Sequence, residues 1–110
     1  MAIDNTLYDS LERTYIKMQD YFNNNKLGPE HSAMIVKHEE LADLLENLDI
    51  EAIEEQSCDI NALHTQLNDI KEISNKILED LNDATDSITT AAKVVSGLDK
   101  VFSKITHVIV

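Results

Sequence analysis

Between residues 53 and 109 the chain repeats an apolar seven-residue pattern with two polar interruptions. With Ile53 at position a, the a series is Ile53, Ile60, Leu67, Ser74, Leu81, Ile88, Val95, Phe102 and Ile109. The d series is Gln56, Leu63, Ile70, Ile77, Ala84, Ala91, Leu98 and Ile105. A period of 3.5 residues keeps one stripe of a helix facing a neighbouring helix over many turns. A strand, whose side chains alternate with a period of two, has no use for it. The seam therefore predicts a protein built by laying helix against helix.

Glycine and proline support the same class. The chain has two glycines and one proline, and neither residue occurs between Pro29 and Gly97. A β protein needs turn residues far more often. With 110 residues, the expectation is one all-helical domain over 1–110. A hydrophobic content of 43% provides a modest core despite a net charge of -12.

Two short helices are predicted before the seam. In the first, over about 5–23, Tyr8, Leu11, Tyr15, Met18 and Phe22 form one stripe, with Asp4 or Asn5 as the cap. Asn23-Asn24-Asn25 and then Gly28-Pro29 end it. The second runs over about 30–47, with Met34, Leu41, Leu44, Leu45 and Leu48 inward. Continuing the seam backwards would put Glu39, Glu46 and Asp49 in the core, so a turn is expected near 47–49, with Asp49 as the next N-cap.

Residues 50–108 read as one long helix in a coiled coil or bundle. Unbroken, it would be about 85 Å long at about 1.5 Å per residue. The weak point is 82–87, Asn-Asp-Ala-Thr-Asp-Ser, with capping residues at Asp83 and Asp86. A turn there gives the alternative, a compact four-helix bundle. The unshifted heptad phase across this stretch favours the long helix. In the second half of the seam the flanks Ile73, Leu78, Ala92, Val94 and Val101 become apolar as well, which suits burial among more than two helices.

Charge and chemistry narrow the function. From Glu39 to Asp86 fifteen acidic side chains face only Lys71 and Lys76, whereas Lys93, Lys100 and Lys104 face Asp99 alone from residue 93 onward. So large an acid excess repels phosphates, and direct nucleic-acid binding is not expected. Cys58 is the single cysteine, which precludes an internal disulfide. The start, Met1-Ala2-Ile3-Asp4, has no signal-peptide pattern, and no run of residues reaches membrane-spanning length, so a cytoplasmic location is expected.

No glycine-rich phosphate loop or nucleophile motif is present, and Glu51, Glu54 and Glu55 read as an exposed acidic face rather than paired catalytic carboxylates. His31 and His38, seven residues apart beside Glu30, Glu39 and Glu40, lack the spacing of a helical metal site and read as solvated. His64 and His107 are candidates for pH-sensitive contacts if buried. No enzyme activity, cofactor or metal is expected. Ser74 and Gln56 at seam positions are candidates for setting register.

The expected role is therefore a non-enzymatic interaction protein that self-associates or joins a larger complex. Its partner-binding residues are expected in the apolar carboxyl segment: Val94, Val95, Leu98, Val101, Phe102, Ile105 and Ile109. One alternative is a small acidic chaperone, inhibitor or nucleic-acid mimic that blocks a basic site. Another, disfavoured by the scarcity of basic residues, is a peripheral membrane-active helix.

Overall fold

Short polar signals determine where each helix starts and stops. The computed structural model describes residues 6–83 and 86–109, with Thr6 and Ile109 described by their backbone only. Helix α1 spans Thr6–Asn24. Near its end the side-chain amides of the asparagine cluster donate to backbone carbonyls one turn back: Asn24 to Asp20 O at 2.8 Å and Asn25 to Tyr21 O at 2.9 Å. A 3-10 turn, Pro29–His31, leads into α2, Ser32–Asn47.

Asp49 caps α3, Ile50–Gln56, by accepting from Ala52 N at 3.0 Å. Asp59 caps α4, Ile60–Asn82, by accepting from Ala62 N at 3.1 Å. Asp86 accepts from Ile88 N and Thr89 Oγ1, both at 3.0 Å, at the start of α5, Ser87–Ile109. These bonds hold the Asp86 carboxyl below its ordinary pKa, the Thr89 hydroxyl being the largest cause.

The single long helix expected over 50–108 is thus divided into α3, α4 and α5, and the chain takes the compact alternative. Ser57 is extended and its hydroxyl accepts from Asp59 N, so the helix ends before Cys58 and restarts at the Asp59 cap. The second break falls at the run of poor helix formers, between the C-cap Asp83 and Asp86. The molecule measures 45 × 22 × 18 Å, far short of a rod of about 85 Å.

Four helices form a ring in the order α1, α2, α5, α4, and α3 lies at one end beside the start of α4. Helices α1 and α4 run one way, α2 and α5 the other. At one end Ser87 donates to Glu30 at 2.9 Å; at the opposite end His64 of α4 meets Glu54 of α3 at 3.1 Å. Among the described residues there is no strand.

In α4 the expected seam is the buried face: Leu63, Leu67, Ile70, Ser74, Ile77 and Leu81. In α5 the buried face has rotated to Ala91, Val94, Leu98, Val101 and Ile105, which are d and g positions of the original register. The a residues Val95 and Phe102 sit at its edge, and Ile88 is 66% exposed. Gln56, expected in the core, is exposed at the end of α3. The inward residues of α1 are Leu7, Ser10, Leu11, Thr14, Met18 and Tyr21, whereas Tyr8, Tyr15 and Phe22 are half-buried. Asp4 and Asn5, expected as caps, and Ala84 of the seam lie outside the described residues.

Ser74 earns its seam position by joining a buried polar layer between α1 and α4. Its Oγ lies 2.7 Å from Thr14 Oγ1 and 3.1 Å from Ser10 Oγ. One proton assignment satisfies all three hydroxyls. Ser10 donates to Asn75 Oδ1 at 2.9 Å, Thr14 to the Ser10 carbonyl at 3.0 Å, and Ser74 to Thr14 Oγ1. On its other side α4 meets α5 largely through apolar residues. A Cβ at Gly97 would lie 2.7 Å from Ile77 Cγ1, so glycine is what permits this approach.

Candidate interaction surface

Folding back has placed most of the expected partner-binding residues inside the chain's own core. Val94, Leu98 and Val101 are fully buried and Ile105 is 3% exposed. Val95 and Phe102 are half-buried on the side of α5 that faces α2, with the Lys37 ammonium 5.6 Å from the Phe102 ring centre. The side chain of Ile109 lies outside the described residues. What α5 leaves exposed is its outward side rather than its seam.

That outward side carries a groove enclosing about 910 Å³, open along its length. Ala33 of α2 and Ile88, Ala92 and Val95 of α5 supply its apolar lining, and Ser96, Lys100, Ser103, Lys104 and His107 continue it along the helix. The two carboxylates in it are already engaged. Asp99 meets Lys37 at 2.7 Å, which raises the lysine pKa. Glu30 accepts from Ser87, and hydrogen bonds from its own backbone and then from that hydroxyl lower its pKa. Lys93, Lys100 and Lys104 make no ion pair among the described residues. The surface is apolar at its floor and cationic along its far edge, in a chain of net charge -12.

The histidines expected to be solvated are structural. His31 is fully buried and His38 is 7% exposed. Gly28 N–H donates to His31 Nδ1 at 3.0 Å, so the proton resides on Nε2 and is donated to Tyr21 Oη at 3.0 Å. Burial, with Glu30 and Asp86 adding to it, pushes the Tyr21 phenol above its ordinary pKa. His38 Nε2 donates to the Tyr15 carbonyl at 3.1 Å, and its ring stacks on Tyr15 at 4.1 Å and meets the Phe22 ring at 90°. Burial lowers the His38 pKa. The half-buried aromatics of α1 are thus explained by α2 supplying imidazoles rather than aliphatic partners. Polar residue types at inward positions hid this contact from a hydrophobic-pattern reading; the spacing of His31, Met34, His38 and Leu41 is its only signal.

At the α3 end, Glu54 is buried and bonded to His64, while its second oxygen, Oε1, has no hydrogen-bond partner among the described residues. His107 lies exposed in the α5 groove, and Cys58 is exposed in the link between α3 and α4. Among the described residues no three or more His, Cys, Asp or Glu side chains are grouped to hold a metal ion, and no helix is long and apolar enough to cross a membrane. No family model matches this chain, nor does any curated protein or solved structure.

Proposed function

We propose that this chain is a non-enzymatic helical interaction module, self-associating or joining a larger complex through the outward face of α2 and α5. The observation that carries this reading is the groove itself: an apolar floor with Ile88 66% exposed, bordered by lysines without an ion-pair partner among the described residues. Exposed apolar surface edged by charge is the usual form of a helix-docking site. The seam, by contrast, is consumed in folding. A non-catalytic role is supported by the engagement of His31 and His38 in holding α1 against α2. A membrane-surface role would require α5 to give up Val94, Leu98 and Val101 from the core.

Affinity capture with the whole chain tests the reading. A stoichiometric partner, the chain itself included, should bind the wild type and a Gln19→Arg control on the outer side of α1. Ala92→Arg, which fills the groove from an exposed position, should lose it. Equal recovery by all three would overturn the assignment of this face.

A second reading rests on residues 39–59, which hold nine acidic side chains and no lysine or arginine. All but Glu54 are exposed. This surface suits blocking of a basic site on another protein. Partner binding that survives Ala92→Arg but falls steeply with salt would favour it.

A further inference from the structure

We propose that the occupant of the α2–α5 groove is a second copy of this chain, related to the first by a two-fold axis parallel to the two helices. The proposal rests on the α2–α5 face being the working surface. The two helices lie side by side and run in the same direction: Glu30 is bonded to Ser87 where both begin, and Lys37 to Asp99 farther along. Helices of equal rise keep their relative heights from there. Glu40 and Asp43 on α2 therefore stand within about one turn of the level of Lys100 and Lys104 on α5.

An axis along the helices exchanges α2 and α5 between facing copies without changing height. The acidic edge of α2 then falls on the lysines of the other copy's α5, and the same contact is made a second time in reverse, as a closed two-fold interface requires. A two-fold axis across the helices would instead set α2 on α2, with like charges opposed. Apolar surface is exposed here and suited to being covered: Ile88 in the groove is 66% exposed, and Val36, on the same side of α2 as Asp43, is 52% exposed. Ala92 and Ser96 are small enough to let a facing helix come close.

Size sets the expected strength. Helix α2 has 16 residues, about 24 Å, and a face two helices wide gives roughly 500 Å² per copy. About 1,000 Å² in total belongs to weak, reversible association. At physiological ionic strength, mutual repulsion of the two acidic chains is screened beyond about 8 Å, while close pairs across the interface persist.

Analytical ultracentrifugation of the full chain at physiological ionic strength, from low micromolar to near-millimolar concentration, tests the proposal. The wild type should show a reversible monomer–dimer equilibrium. Lys100→Glu and Asp43→Lys, both at exposed positions, should each weaken the dimer by about tenfold or more. The two reversals in one chain should restore it, because the two-fold operation sets these positions against each other. Gln19→Arg should have no effect. A wild type that stays monomeric, a dimer indifferent to the reversals, or failure of the double variant to recover would each overturn the proposal. If the wild type is monomeric yet captures a different protein in an Ala92-dependent way, this inference fails while the surface reading stands. If Ala92→Arg changes neither capture nor mass, both fail.

Discussion

Helix α4 meets α1 through hydroxyls and α5 through close backbone approach. On the α1 side, Ser10, Thr14 and Ser74 form a buried layer in which each hydroxyl has a defined partner. On the α5 side, Gly97 leaves no room for a Cβ against Ile77, and Ala91, Val94, Leu98 and Val101 complete an apolar contact. On the α5 side shape opposes sliding by a turn, because any residue with a Cβ would collide with Ile77 where Gly97 now sits. On the α1 side chemistry opposes it, because a slip would leave buried polar atoms unpaired. The difference teaches that one heptad seam serves two tasks: adhesion towards α5 and alignment towards α1.

The largest expected effect breaks the adhesive side. Leu98→Asp places a carboxylate among fully buried apolar residues and should cost more than about 4 kcal/mol, enough to unfold the chain. Loss of far-ultraviolet helix signal or of a cooperative urea transition would show it; a folded, fully helical variant would mean that α5 is not core. Gly97→Val should be the next most severe, at about 2 kcal/mol by urea titration, since α4 and α5 must separate to admit the side chain. Unchanged stability would mean that Ile77 yields easily.

On the aligning side, Ser74→Ala should cost about 1–2 kcal/mol by removing the hydroxyl that donates to the buried Thr14 Oγ1. Replacing the whole layer with Ser10→Ala, Thr14→Val and Ser74→Ala should cost less than the single change, because no polar atom is then orphaned. Broader nuclear magnetic resonance lines in the triple variant would mark loss of unique alignment. Additive losses would remove the case for a cooperative layer.

The smallest effect lies at the α1–α2 contact and depends on pH. Burial depresses the folded pKa of His38 below its usual 6.5, so the unfolded chain takes up the proton first. Stability should be full above about pH 6.5 and fall as the pH drops through that value towards the lowered folded pKa. His38→Phe should flatten thermal stability across this window. An unchanged pH profile would exclude His38 as its source.

The helical class, the turn at 47–49, the Asp49 cap and the inward face of α4 were legible because each rests on neighbours a few residues away. The polar character of Ser74 was legible too, as an exception within the seam. Other features were ambiguous by nature. In α1, Leu7, Thr14 and Tyr21 form a second stripe that shares Leu11 and Met18 with the stripe of Tyr8, Tyr15 and Phe22. Only the placement of α4 and α2 selects between them. The buried His31 and His38 were hidden because the α1 residues they meet, Tyr21 and Tyr15, come from another helix. Of the expected interface residues, Val95 and Phe102 reach the edge of the α2–α5 face, and the groove itself exists only where two helices meet.

By itself the sequence determined that residues 53–109 make helices with a continuous apolar stripe, because helical periodicity is a local property of the chain. Whether that stripe extends as a rod or folds back on itself is a different matter. Two antiparallel helices satisfy the same seven-residue repeat as one long helix, so periodicity is silent on the choice. Tertiary structure decided it. Ending α4 at Asn82 and starting α5 at Ser87 lets the two helices cover each other and leaves α1 and α2 to complete the ring, whereas a rod would leave its widened carboxyl seam exposed until a partner arrived.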